Sequence, residues 1–206
     1  RGEDPWAHYV MATALGMRYY DTHQDDDLAG CREHLAEAIR LGGRKDPDAA
    51  MYRQQFAAFE GTHWGTERAK AAPVITAVPA EMSKALRMAR EALEMTEEGS
   101  PHLPVRLVLV SEFLGQGVDG PGGLSEAVEL AERAVAVAHP DDPRRSRYHN
   151  AHAQALLRLA EHRGDRAMAV RGETEAVRAG RLAHPYDPLQ VGILQTLRRA
   201  RALVSG

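Results

Sequence analysis

A short pattern occurs twice in the chain, 45 positions apart. The sequence reads Ala-His-Pro-Asp-Asp-Pro at 138–143 and Ala-His-Pro-Tyr-Asp-Pro at 183–188. Each copy ends one alanine-rich stretch and precedes another. A pattern that returns at a fixed offset is the sequence signature of a repeat array, in which each repeat is one supersecondary unit. This offset therefore constrains the architecture before any single residue is considered.

Five Asp-Pro or Ser-Pro dipeptides extend the pattern along the chain. They lie at 4–5, 46–47, 100–101, 142–143 and 187–188. An Asp or Ser side chain accepts hydrogen bonds from the free amides of a first helical turn, and a following Pro loses no hydrogen bond there. We predict that a helix starts at each of the five.

A stripe of small residues marks a second helix in each of four units. Its members recur at i, i+4 and i+7, which places them on one face of a helix, where small side chains allow another helix to approach closely. We call this set the small-residue stripe: Cys31, Leu35 and Ala38; Ala85, Ala89 and Ala92; Ala127, Ala131 and Ala134; Gly172, Ala176 and Ala179.

These signals predict an all-α chain of about nine helices in antiparallel pairs. The units cover about 4–41, 46–96 with an insertion at 61–79, 101–139 and 142–183, followed by a terminal helix at 187–204. A helix pair cannot bury its apolar face alone, so neighbouring pairs must stack. We interpret residues 1–206 as a single repeat domain.

The stripe resembles the second helix of tetratricopeptide (TPR) repeats, which has small residues seven apart and then a Pro. Ala127, Ala131, Ala134 and Pro140 match that arrangement. The units are longer than standard TPRs, and the chain is most similar to the long, degenerate TPR-like repeats of actinobacterial proteins. The stretches at 142–150 and 156–165 carry this likeness. The resemblance implies a right-handed TPR-like α-solenoid. Such arrays often accompany CHAT-type peptidase domains or large signalling regulators.

Composition narrows the location and the partners. No run of 18 apolar residues occurs, so we expect no membrane span. The chain begins without the pattern of a signal peptide, and its single Cys31 excludes an internal disulfide. We therefore expect a cytoplasmic protein. Residues 140–206 carry 12 Arg and 7 acids. We interpret this excess as a solvated surface, and the lack of stacking aromatics near Arg198, Arg199 and Arg201 does not favour nucleic acid.

Two patterns suggest ligand chemistry, and each has a simpler interpretation. Residues 115–120 fit G-x-G-x-x-G, which binds dinucleotides at a strand-to-helix turn, but here the glycines fall where other units have an interhelical turn. His149 and His152 share a helical face, as metal ligands can, yet the sequence identifies no third ligand. We predict neither a cofactor nor a metal. A strand at 101–114 would reverse the interpretation of the glycines.

Two further sets are interpreted as helix-end residues. His139 and His184 occupy equivalent repeat positions, where an imidazolium can cap a free helix carbonyl. Asp21, Asp25, Asp26 and Asp27 resemble a calcium loop only in composition, because the required glycine is missing. We expect these acids to cap helices.

We predict a non-catalytic protein–protein interaction or scaffold module, since no catalytic motif is recognisable. A surface of first helices would hold a peptide or a partner domain. The candidate contacts are Arg53, Arg145, His149 and His152, with Trp64 on the insertion. The alternatives are a regulatory segment of a larger CHAT-peptidase or signalling protein, a nucleotide-binding protein that uses the glycine loop, and a spacer or homo-oligomer whose unpaired last helix pairs with a second copy.

Overall fold

The computed structural model describes residues 4–70 and 80–205, with side chains given except at 65–70. The described chain is helical, without a β-strand, and divides into two compact units, Arg1–Thr96 and Glu97–Gly206. The first unit contains α1 (Pro5–Thr22), α2 (Asp25–Gly42), α3 (Ala49–Lys70) and α4 (Ala80–Glu94). The second contains α5 (Leu103–Gly115), α6 (Gly123–Val137), α7 (Arg145–Arg163), α8 (Arg166–Leu182) and α9 (Gln190–Ser205). The predicted all-α class is confirmed, whereas the single domain stays a prediction.

The helices pack in the order in which they occur in the sequence. Within the units, the pairs are α1 with α2, α3 with α4, α5 with α6 and α7 with α8. Second helices also contact the next first helix, as α2 does with α3, α6 with α7 and α8 with α9. In the second unit the first helices α5, α7 and α9 are themselves neighbours. This is the stacking of helix pairs that the repeat predicts.

The small-residue stripe forms the inner face of the second helices. Every one of its positions is buried, and the nine alanines in it are 0 % exposed. The helices approach closely at Gly172, where an added Cβ would lie 2.8 Å from Leu157 Cδ2. The prediction from the i, i+4, i+7 spacing is therefore confirmed in the second helix of all four helix pairs, α2, α4, α6 and α8.

All five Asp-Pro or Ser-Pro dipeptides form the same turn. In each, the side-chain oxygen accepts a hydrogen bond from the amide two residues later, from Asp4 with Trp6 to Asp187 with Leu189, at 2.7–3.3 Å. At Asp4 the helix begins at once. At the other four the first regular helical residue comes three positions after the Asp or Ser, because the dipeptide itself occupies a preliminary turn.

Residues 61–79, predicted to be an insertion in the repeat, begin inside helix α3, and the insertion itself stays a prediction. Helix α3 continues without a break through residues 61–70 and ends at Lys70, and residues 71–79 lie outside the described residues. The Thr62 hydroxyl donates to Ala58 O at 2.9 Å, and His63 Nδ1 lies 3.1 Å from the Tyr19 hydroxyl of α1. Glycine has a low helix propensity, so the glycines at 61 and 65 disfavour a helix in this segment. The helix nevertheless continues, and this part of it contacts α1.

The glycine segment is a helix connection. Residues 103–115 form helix α5 and not a strand. The glycines at 115–123 therefore belong to the connection between α5 and α6, as predicted by their interpretation as an interhelical turn. The prediction for His139 and His184 is wrong in detail. Both lie two residues beyond a helix end, and their Nδ1 atoms accept the amides of Asp141 and Tyr186 at 3.2 and 3.3 Å. They organise the turn and donate to no helix carbonyl among the hydrogen bonds of the described residues.

Within residues 4–70 and 80–205, no helix combines the length and apolar character that crossing a membrane requires.

Candidate functional site

Arg53 lies inside the first unit. It is 5 % exposed, and its Nε donates to Glu91 Oε2 of α4 at 2.9 Å. Its Nη1 donates to the carbonyls of Gly43 and Ala49 at 3.1 and 3.0 Å. The guanidinium therefore joins α4, the α2–α3 connection and the start of α3, because a buried charge must be paired and hydrogen-bonded.

His149 and His152 also lie inside, between α7 and α8. His149 Nδ1 is 2.7 Å from Glu175 Oε2 of α8, and His152 Nδ1 is 3.6 Å from the same oxygen. Both ring nitrogens of His152 are buried without a hydrogen-bond partner. Glu175 is the third group that the sequence could not identify. Among the described residues, however, no group of three or more His, Cys, Asp or Glu is arranged to hold a metal ion.

The environment of this cluster shifts two of its pKa values downward. Burial lowers the pKa of His152, against the attraction of Glu175 and Glu132. Burial alone would raise the pKa of Glu175, but the hydrogen bond from His149 and the nearby positive charges, including Arg178, lower it below its usual range. Glu175 is thus held as a carboxylate and His152 as a neutral ring at neutral pH.

The other two predicted contacts lie nearer the surface. Trp64 is half-buried on the part of α3 that extends past the predicted helix end. Arg145 is half-buried at the start of α7, where its Nη1 donates to Pro140 O at 3.2 Å. The five predicted residues are distributed over both units, Arg53 and Trp64 in the first and the other three in the second. Their role as partner contacts stays a prediction.

The first unit contains an open cleft between α1 and α3. Its volume is about 220 Å³, and among its lining residues in the described chain none carries a formal charge. Thr13, Met17 and Tyr20 of α1 form one wall, Phe59 and Thr62 of α3 contribute to the other, and Cys31 and Leu35 of α2 form the floor.

Aromatic contacts fix the direction of the two walls. Tyr9 of α1 contacts Tyr52 of α3, with the ring centroids 5.6 Å apart. Tyr19 of α1 contacts His63 of α3, with the ring centroids 5.7 Å apart. Because both contacts advance along α1 and α3 together, the two helices run in the same direction. The cleft is therefore bounded by two parallel first helices, which the repeat predicts to lie side by side.

Helix α1 presents an apolar stripe to solvent beside this cleft. Trp6, Val10, Met17 and Tyr20 are 46, 50, 67 and 42 % exposed, and with Thr13 they follow the helical spacing i, i+4, i+7, i+11, i+14. We call these five residues the α1 stripe. A helix that is apolar on every side is normally buried. The sequence analysis missed this surface, although residues 5–20 contain one formally charged side chain, Arg18, which is the signal that could have found it.

The floor of the cleft has no nucleophile. Burial, and secondarily the charge of Glu60, raises the pKa of Cys31 to about 12. At neutral pH the side chain is a thiol, whereas the reactive species is the thiolate. The cleft therefore offers apolar contact surface and does not offer covalent chemistry.

The corresponding first helices of the second unit are joined by polar side chains. Arg147 of α7 pairs with Glu112 of α5 at 3.1 Å, and Gln154 donates to Thr196 of α9 at 3.3 Å. Arg199 of α9 forms an ion pair with Glu161 of α7. These bonds join the first helices of the second unit, whereas the α1–α3 cleft has no formally charged residue among its described lining, so we take this cleft as the candidate docking site.

No known protein family and no curated protein matches the chain.

Proposed function

We propose that the chain is a non-catalytic protein–protein interaction module that holds a peptide or a partner domain in the α1–α3 cleft. The observation that carries the proposal is the α1 stripe, an exposed apolar surface continuous with an uncharged cleft. Covering apolar surface is the main favourable term in most protein associations, at about 25 cal/mol per Å². The TPR-like resemblance of the repeats, which implies that first helices hold the partner, supports the same interpretation.

The size of the cleft favours a protein partner over a small molecule. Sites for small ligands usually measure about 300–1,000 Å³ and enclose most of the ligand. The α1–α3 cleft, at about 220 Å³, is smaller and open. It can take a few anchoring side chains while the rest of the partner lies along α1, which is how peptide grooves combine anchors with a longer contact.

The test measures binding of fluorescent amphipathic peptides of about 20 residues, with leucines at helical spacing. We expect the unchanged protein to bind at least one of them, and Met17→Glu to weaken that binding at least about tenfold, because it places a charge on the apolar wall. Met17 is 67 % exposed, so the variant should fold, which circular dichroism will verify.

Val170→Glu is the matched control. It introduces the same charge at an exposed apolar residue of α8 in the second unit, 45 % exposed. Binding should stay within about twofold of the unchanged protein. If no peptide binds at about 1 mM, or if both variants bind as well as the unchanged protein, the α1–α3 cleft is not a docking site.

A further inference from the structure

We infer that the partner of the α1–α3 cleft is an amphipathic α-helix of another protein, with lysines or arginines at the end that lies over the α1–α2 turn. This inference rests on the proposed function and adds the chemical class and the direction of the partner. It follows from the shape of the α1 stripe and from the charges at one end of the cleft.

The α1 stripe has the length and spacing of a helix-binding surface. From Trp6 to Tyr20 it covers 14 helical steps, which at 1.5 Å per residue is about 21 Å. Its members recur at the spacing at which side chains of one helix interdigitate with those of another. A partner helix of about 15 residues therefore matches it, with apolar side chains at i, i+3 or i+4, and i+7 entering the cleft.

Three exposed carboxylates lie where the stripe ends. Tyr20 is the last cleft residue of α1, and Asp21 follows it directly, while Asp25 and Asp26 open α2 on the other side of a short turn. All three are exposed, and in the described part of the chain none of them has an ion-pair partner. Asp25 and Asp26 gain some stabilisation from the amino end of α2, but they remain open to a partner.

Among the side chains that the structure describes, the two arginines close to this end are already paired. Arg18 forms a two-point ion pair with Asp27, and Arg32 donates to Glu60 at 2.6 and 2.8 Å. The charges of these two pairs cancel locally, so among the described side chains the three exposed aspartates add negative charge at this end. A basic segment is the complement of that charge, and complementarity of this kind sets the orientation and raises the association rate.

The same charges argue against a membrane surface as the occupant. An exposed apolar helix can also lie on a bilayer, but such helices bind anionic lipids through Lys and Arg on the polar face. Between Pro5 and Thr22 the formally charged residues are Arg18, which is paired, and Asp21. Anionic vesicles should therefore not be bound.

The experiment compares three peptides with the same apolar face. One has four lysines at its end, one has four glutamates there, and one is neutral; binding is measured by fluorescence anisotropy. We expect the unchanged protein to bind the lysine peptide at least about tenfold more tightly than the glutamate peptide. Raising the salt from about 50 to 300 mM should weaken binding of the lysine peptide and leave the neutral one nearly unchanged.

A triple variant locates the effect. Asp21→Asn, Asp25→Asn and Asp26→Asn together should remove the preference for lysine, because asparagine keeps the size and polarity of each side chain and removes its charge. The control replaces Glu33, Glu97 and Glu129 by Gln. These residues are exposed and outside the cleft lining, so this variant has the same net charge but should keep the preference within about twofold.

The outcomes separate this inference from the proposed function. If lysine and glutamate peptides bind equally and Met17→Glu weakens both, the cleft is a docking site but its partner is not basic. If both triple variants lose the preference equally, net charge and not the α1–α2 turn is responsible, and the inference is wrong. Binding to phosphatidylserine vesicles that competes with the lysine peptide would make a membrane the occupant. Binding of none of the peptides would end both proposals.

Discussion

At Gly172 two helices of the second unit, α7 and α8, approach closely. An alanine Cβ there would lie 2.8 and 2.9 Å from Leu157 Cδ2 and Cγ and 3.4 Å from Ala153 O. Leu157 is 0 % exposed, so it has little room to move. Overpacking costs about 1–3 kcal/mol, and the gain in helix propensity returns at most about 1 kcal/mol. We predict that Gly172→Ala lowers the free energy of unfolding by about 1–2 kcal/mol in urea titration.

Gly180, in the same helix, is the control. Its added Cβ would meet Ile193 Cγ2 at 3.7 Å, an ordinary contact. Gly180→Ala should therefore stabilise the protein by about 0.5–1 kcal/mol, since alanine restricts the unfolded chain and favours helix. Equal effects of the two substitutions would contradict the close approach at Gly172.

The His152 ring predicts a dependence of stability on acid. Its pKa is lowered in the fold by burial, so the unfolded chain takes up a proton first, near its ordinary pKa of about 6.5. The contribution of His152 to stability is thus present above about pH 6.5 and is lost as the pH falls. The lowered pKa of Glu175 adds a second loss of the same sign, beginning below about pH 4.3.

We predict that His152→Met reduces the loss of stability between about pH 7.5 and 5.5, measured by urea midpoints, because methionine fills the site without titrating. A steeper pH dependence in the methionine variant would contradict this account.

The sequence predicts which residues lie on the first helices better than it predicts which side chains pair with them inside the fold. The sequence predicts Arg53 and His149 to be partner contacts on a surface of first helices, and in the structure both side chains are buried. Their partners, Glu91 and Glu175, lie 38 and 26 residues away on the second helices. Which carboxylate meets which cation over that distance depends on the rotation of both helices, and one sequence does not contain that information.

At the scale of the helix, Asp142 shows how the repeated dipeptide starts α7. It accepts the Arg144 amide at 2.9 Å and the Tyr148 hydroxyl at 3.0 Å, and Tyr148 is 0 % exposed. Asp142→Ala removes the hydrogen bond to the Arg144 amide in the turn before α7, at about 1 kcal/mol, and leaves a buried hydroxyl unpaired, at about 1–3 kcal/mol. We predict a loss of about 2–4 kcal/mol in the free energy of unfolding.

Two comparisons separate these contributions. Asp187→Ala, whose side chain is bonded to the Leu189 amide at the start of α9, should cost only about 0.5–2 kcal/mol. In a Tyr148→Phe background, Asp142→Ala should cost about 1 kcal/mol, because no hydroxyl is left without a partner. An unchanged cost in that background would mean that Tyr148 gains nothing from Asp142.

The helices themselves were predictable because their signals are local. The small-residue stripe repeats at one spacing, and close packing of helix pairs needs small side chains at those positions whatever their partners are. The end of α3 was not predictable, because two glycines and a β-branched threonine argue against helix at 61–65 while contacts with α1 are distant in sequence. The exposure of the α1 stripe was not predictable, because an apolar helix face normally packs in the core, and the sequence does not show which helices cover it.

For the whole molecule, the division into two compact units predicts local rather than uniform effects of substitution. Stability in a repeat array is close to a sum of unit and nearest-neighbour contributions. Gly172→Ala should therefore lower hydrogen-exchange protection in α7, α8 and α9 and leave α1 and α2 close to the unchanged protein, as followed by mass spectrometry. An equal loss of protection along all nine described helices would show that the chain unfolds as one cooperative unit.

The single cysteine, Cys31, can report how often the first unit opens. Cys31 is 2 % exposed and holds its proton with a pKa of about 12, so a maleimide finds no reactive sulfur while α1 and α2 remain packed. Alkylation at neutral pH must then wait for the pair to separate. The alkylation rate then measures how often this half of the chain opens, with no introduced cysteine and no denaturant, and a partner that covers α1 should lower it.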